Sequence, residues 1–279
     1  MAIQRFLLVF GVFVGIATGT PVWAVVSDAT NLVVITKTGF VLNRQTNTYD
    51  SVVTLKNISP FVVATPVQLV VSNLPADITL ANAAGNTTQG NPYVGVNVPT
   101  NSILPGAVIA PIVLKFANPK RASLTPKLSL IGNIPDAAVG LPSDPGEAGK
   151  VTLAGVDSNN NGVRDDVERY IVLTVPESAK HREALKSYAR TIQEGLLSST
   201  QEQSIAAGDK ESRSIECFSY LGVRKQMKWR EVLALMFNTE ARLNAQRDNL
   251  SRQSGQVYTS LPSDQYRTAC DFNVEAQPN

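Results

Sequence analysis

Cysteine occurs twice in the 279 residues and histidine once. With His181 as the sole soft co-ligand, Cys217 and Cys270 cannot complete a cysteine-based metal site. Gly-rich phosphate loops are absent from the sequence, and no nucleophile lies near His181 in the charged stretch SAKHREALK, so His181 is expected to be a solvated surface residue rather than a base. Charge of one sign is lacking as well. Lys and Arg total 25 against 23 Asp and Glu, a formal net charge of +2, which gives no general attraction to nucleic-acid phosphates or anionic lipid. Nucleic acid is therefore excluded as a partner class. Past the first residues no apolar run is long enough to span a bilayer. No catalytic constellation is visible, and the chain is expected not to be an enzyme.

What is present is 43% hydrophobic residues, enough for two domains with cores of their own. The start, MAIQRFLLVFGVFVGIATGTPVWA, joins Arg5 to an apolar run from Phe6 to Ala17 and then to Val22-Trp23-Ala24. This pattern predicts a cleaved secretory signal over residues 1–24, whose apolar run is too short to span a bilayer and which is followed by no lipoprotein cysteine. Export implies an oxidising compartment, the periplasm or the extracellular surface. There the default for Cys217 and Cys270 is a mutual disulfide, with two separate buried thiols as the competing reading.

From Asn31 to Ile131 the chain is rich in Val, Leu, Ile and Thr, with turn residues at short intervals. Strands are expected at 32–37, 51–57, 62–72, 77–82, 93–98, 107–116 and 127–132. They are separated by turns such as Asn57-Ile58-Ser59-Pro60, Asn73-Leu74-Pro75 and Pro105-Gly106. About seven short strands in about 100 residues suggest an antiparallel β-sandwich over 25–133. The stretches NRQTNTYDSVVTLKNIS, VSNLP and ILPGAVIAPIVLKFANP resemble the immunoglobulin/fibronectin-III-like modules of exported bacterial proteins. That resemblance implies a spacer or adhesive module and does not choose among functions. Asn57, Asn86 and Asn249 each open an Asn-X-Ser/Thr triplet, read here as turns, and Tyr49 and Tyr93 are read as cross-strand packing.

Residues 134–149, IPDAAVGLPSDPGEAG, carry no apolar period and are expected to be a linker. A short extended piece, KVTLAGV (150–156), should follow. Thereafter the apolar period lengthens to about 3.6 and a small helical domain is expected over 150–279. One helix continues from DDVERYIVL, and a second opens at Pro176 with the stripe Leu185, Tyr188, Ile192 and Leu196. Further stripes fall at Ile215, Phe218 and Leu221 and at Val232, Leu233 and Met236, and Asn238 or Thr239 is positioned to cap a last helix. The fold class is thus all-β followed by all-α.

The junction holds the one motif with chemistry, DSNNNGVRDDVE at 157–168. On the spacing of an EF-hand loop, calcium would take oxygens from Asp157, Asn159 and Asn161, the Val163 carbonyl, Asp165 through water, and both oxygens of Glu168. Gly162 supplies the sharp turn at the sixth position. The competing reading is a polar turn capping the next helix, but such a turn has no use for a glutamate at the twelfth position. Asp166 is expected to face solvent or cap the helix. The preceding EAGKVTLAGV is no helix former, and no second loop pairs with this one. The motif therefore resembles the lone calcium loops of exported bacterial proteins, related in pattern to dockerin and thrombospondin type 3 repeats. The whole chain resembles exported proteins of Gram-negative bacteria that join such a sandwich, such a loop and a cysteine-bearing helical tail. The expectation is a secreted structural or binding protein in which calcium stiffens the domain junction, with an envelope protein or a polysaccharide as partner. The alternative is a polysaccharide-active hydrolase or its accessory module.

Overall fold

The computed structural model describes residues 24–222 and 228–278. The expected signal segment lies, but for Ala24, outside the described residues. Strict in–out alternation builds the first half. In the strand Thr48–Asn57, Ser51, Val53, Leu55 and Asn57 are buried while Val52 and Lys56 are exposed, the period-two pattern of a sheet with one face in a core.

The strands in chain order are β1 (Ala24–Asp28), β2 (Val33–Lys37), β3 (Val41–Asn43), β4 (Thr48–Asn57), β5 (Val63–Ser72) and β6 (Thr79–Leu80). They continue as β7 (Gly85–Asn86), β8 (Pro92–Gly95), β9 (Ser102–Ile103), β10 (Val108–Ala117) and β11 (Lys127–Pro135). All pairings are antiparallel. One sheet runs β1-β11-β5-β8-β7 with β9 beside β5, and the other runs β2-β4-β10-β6 with β3 beside β4. A single core draws on both, with Val53, Leu55, Leu114 and Phe116 from the second sheet and Val63, Leu69, Leu130 and Ile134 from the first. Asn57 is fully buried at a corner. Its amide donates to the Phe61 and Ile103 carbonyls at 2.7 and 3.0 Å while its oxygen accepts from Ser59, so a buried polar group is completely paired. Tyr93 lies against Gly85 of the adjacent strand, where an added Cβ would meet the phenol at 2.9 Å.

Among the described residues the second half holds the helices α1 (Asp165–Thr174), α2 (Ala179–Leu197), α3 (Gln201–Tyr220), α4 (Trp229–Met236) and α5 (Glu240–Arg252). Their starts follow side-chain capping. Ser178 accepts from the His181 amide, Thr200 forms a capping box with Gln203, and Thr239 accepts from the Arg242 amide. The expected start of α2 at Pro176 is corrected to Ala179, because Ser178 offers an acceptor to the free N–H groups and Pro176 offers none. Leu185, Tyr188, Ile192 and Leu196 are buried together with Phe218, Val232 and Met236. His181, expected on the solvated face, is half-buried, and burial pushes its imidazole below its ordinary pKa.

Residues 134–149, expected as a spacer, start inside β11, contribute buried Ala138 and Leu141 to the β core, and include 3-10 turns at Asp136–Ala138 and Gly146–Lys150. Residues 151–154 form bends, and no strand is found over the expected extended piece at 150–156. Helix α1 belongs to both cores: Val167 and Ile171 face the helices, whereas Val172 joins the β core with Leu173 packed against it. Arg169 adds to the junction by donating to the carbonyls of Pro142 at 2.7 Å and Asn31 at 3.3 Å.

Cys217 on α3 and Cys270 form a disulfide, which ties the 3-10 turn Ser263–Ala269 to the helices. Closing a loop of 53 residues stabilises by about 4 kcal/mol in the chain-entropy account. The Cys217→Ala/Cys270→Ala double variant is expected to lose about that much in urea unfolding; an unchanged midpoint and slope would contradict the assignment of that cross-link as a stabilising one.

Candidate functional site

The bend from Asp157 to Glu168 is shaped by two left-handed residues, Asn160 at φ +54° and Gly162 at φ +81°. Asparagine and glycine are the residues that tolerate that region. The chain then turns tightly enough for Asp157 to cap it. One carboxylate oxygen accepts from the Asn161 amide at 3.2 Å and the other from the Gly162 amide at 2.8 Å. Asn161 Oδ1 accepts from the Val163 amide at 2.8 Å, while the Val163 side chain anchors the loop in the helical core. At the base, Asp165 Oδ1 accepts from the Ser158 amide at 2.9 Å and the Asp165 amide donates to the Val156 carbonyl at 2.8 Å.

The side-chain amides of Asn159 and Asn161 both donate to Glu168 Oε2, at 3.0 and 2.9 Å. Lys186 of α2 meets the other oxygen, Oε1, at 2.8 Å. Glu168 itself is 5% exposed. The structure thus gathers Asn159, Asn161 and Glu168 at one point, while Asp157 and Asp165 spend their oxygens on the loop's backbone. Burial works to raise the Glu168 pKa, but the Lys186 ion pair and the two amides outweigh it and hold the carboxyl below its usual range.

Lys186, Arg190 and Gln193 lie along one ridge of α2, at the i, i+4 and i+7 spacing that lines up side chains on a helix. Arg190 runs beside Gly162, where an added Cβ would meet its stem at 3.2 Å, and Gln193 donates to the carbonyls of Leu153 and Ala154. This ridge was not legible beforehand, because nothing in the spacing within the loop points to a lysine on the next helix.

Two buried arginines brace the loop from the other side. Arg164 pairs with both oxygens of Asp166 at 3.0 and 2.6 Å and donates to the Leu235 and Met236 carbonyls at the end of α4. Asp166, expected to face solvent or cap the helix, instead balances this guanidinium. Arg242 of α5 is fully buried and donates to the carbonyls of Gly149, Thr152 and Leu153, which lead into the loop.

Elsewhere a cleft of about 660 Å³ opens on the β-rich half, lined by Asn82, Val94, Asn97, Val108 and Pro111 among others, none of its lining residues ionisable. In the helical half Glu211 lies 3.5 Å from the Tyr188 hydroxyl, and burial raises its pKa. Among the described residues no three His, Cys, Asp or Glu side chains gather into a metal-holding group; the groups gathered beside Glu168 are the side-chain amide nitrogens of Asn159 and Asn161 and the Lys186 ammonium. No protein-family model matches the chain, and no curated protein or solved structure matches it significantly. Fold and site together define an antiparallel β-rich region followed by a disulfide-tied helical region, with a polar loop at their junction.

Two outcomes follow from this bracing. Arg242→Met should cost about 3 kcal/mol in urea unfolding, since it leaves buried carbonyls without donors; a loss within about 0.5 kcal/mol, typical of a surface change, would contradict the bracing role. The second concerns acid. Because the Glu168 pKa is lowered on folding, its contribution is present above the unfolded value of about 4.3 and is lost as pH falls through the folded value. Glu168→Gln should therefore flatten the fall of stability below about pH 4, and an unaltered acid limb would exclude that contribution.

Proposed function

We propose that this is an exported structural or binding protein in which calcium, held by the 157–168 loop, stiffens the junction between an immunoglobulin/fibronectin-III-like sandwich and the helical domain. The observation that carries the reading is the buried Glu168 carboxylate, met by Asn159 and Asn161 from the third and fifth positions of the loop. A polar turn alone would gain nothing by burying that carboxylate, since burial of a charge is unfavourable unless it is balanced.

The donor set fits a hard cation. Asp157, Asn159, Asn161, the Val163 carbonyl and Glu168 each carry an oxygen that can serve as a ligand, with Asp165 close to the loop's base for an ion-bound water. Asn159 and Asn161 present nitrogen to Glu168, and a half-turn of each amide exchanges it for oxygen. Calcium is preferred to magnesium, which keeps more of its waters and demands a smaller octahedral shell. The ion would supply charge and cross-linking; the chain's own residues orient the loop, exclude water and transmit the constraint through α1, which packs into both cores.

The disulfide is in keeping with an oxidising compartment. Export leaves the β-rich half to meet an envelope protein or polysaccharide. Three carboxylates, one of them acting through water, and two neutral amides suit a dissociation constant on the order of 0.1 mM, as in extracellular modules. At about 1 mM calcium such a site stabilises the fold by roughly 1.4 kcal/mol. Calcium should accordingly raise the melting temperature by a few degrees, and Asp157→Ala and Glu168→Gln should each abolish the rise. An equal rise in both variants would remove the loop from the explanation.

A further inference from the structure

We propose that Lys186 is the loop's resident counter-cation, and that its ammonium and a calcium ion are alternative occupants of the Glu168 carboxylate. The inference rests on the calcium reading above. It starts from the use already made of that carboxylate. A glutamate at the last position of such a loop offers both oxygens to the ion, yet here Oε1 is taken by Lys186 at 2.8 Å and Oε2 by two amides. Both oxygens are engaged, so an ion that takes the carboxylate in bidentate fashion displaces the two amides from Oε2 and brings its charge against the Lys186 ammonium on Oε1.

Lys186 is not a chance surface contact. Its side chain is 17% exposed, and that of Glu168 is 7% exposed. The position is set by α2, whose ridge also carries Arg190 against Gly162 and Gln193 against the approach to the loop. A carboxylate withdrawn this far from water needs a cation whenever the metal is away, and Lys186 supplies one without loss of the fold. The displaced ammonium has a second partner in place. Glu183, one turn earlier on α2 and more exposed, has an oxygen 3.5 Å from Lys186 Nζ, so the lysine can turn toward Glu183 and solvent when calcium arrives.

Two consequences separate this arrangement from an ordinary loop. The metal-free junction remains folded around an internal ion pair, and calcium affinity is weaker than the oxygen set alone would give. The test uses the full mature chain. Calorimetric titration with calcium chloride should give a dissociation constant about tenfold lower in Lys186→Met than in the wild type, and Lys186→Gln, checked by circular dichroism, serves as the second variant. In the wild-type chain, acetylation of Lys186 by an amine-reactive ester, followed by mass spectrometry, should be faster in saturating calcium than in chelator.

Binding by Lys186→Met where the wild type binds none would support the exchange strongly. Equal dissociation constants in wild type and variants, with calcium bound by all, overturn it and leave the calcium reading standing. Tighter binding in the variant with unchanged acetylation means that the ammonium repels the ion without yielding its place, and also overturns it. Absence of calcium binding in every protein removes both proposals together.

Discussion

The carboxylate of Glu168 lies almost out of water, and an uncompensated charge in such a place would cost several kcal/mol. Its compensation comes from three side chains: from the loop through Asn159 and Asn161, and from the next helix through Lys186. Those contacts oblige the loop to fold back on the helix that it starts, and they oblige α2 to lie alongside. Gly162 and Asn160 make the fold-back sterically possible, since both occupy the left-handed region. One buried acid thus sets the relative positions of a loop and two helices.

The same helix carries the constraint outward. One face of α1 enters the helical core through Val167 and Ile171, and its last turn enters the β core through Val172. Arg169, the residue after Glu168, reaches the carbonyls of Pro142 and Asn31 on the β side. Arg164 and Arg242 complete the frame by taking up carbonyls from the end of α4 and from residues 149–153, groups that a buried bend would otherwise leave unpaired. In the proposed function, an ion held in the loop therefore acts on both halves of the molecule through one short helix. The expected benefit is rigidity at the junction rather than a large movement.

Much of this was legible in local pattern. Period-two alternation located β4, β5, β10 and β11 to within a few residues, and the stripe from Leu185 to Leu196 located α2. The disulfide followed from there being just two cysteines. The misses have physical causes. Strands such as β7 and β9, two residues each, are too short to show a period and exist through their partners. Pro176 looked like a first helical residue, but the Ser178 hydroxyl fixed the true start. Residues 134–149 read as a spacer because prolines and glycines dominate them, although Leu141 is buried in the β core. Most of the site's bracing was invisible for another reason: Lys186, Arg164 and Arg242 are residue types that ordinarily face water, and only the assembled fold shows Arg164 and Arg242 buried, and Lys186 half-buried, against partners brought from elsewhere in the chain.

The account turns on whether the loop accepts a divalent ion at the point where its amides and Glu168 meet. A crystal structure of the mature protein equilibrated with about 10 mM calcium, read by anomalous scattering, tests this most directly. The account predicts an ion about 2.3–2.6 Å from oxygens of Asp157, Asn159, Asn161, Val163 and Glu168, with Lys186 turned away. A loop with no ion and with the Lys186 ammonium still on Glu168 would contradict it.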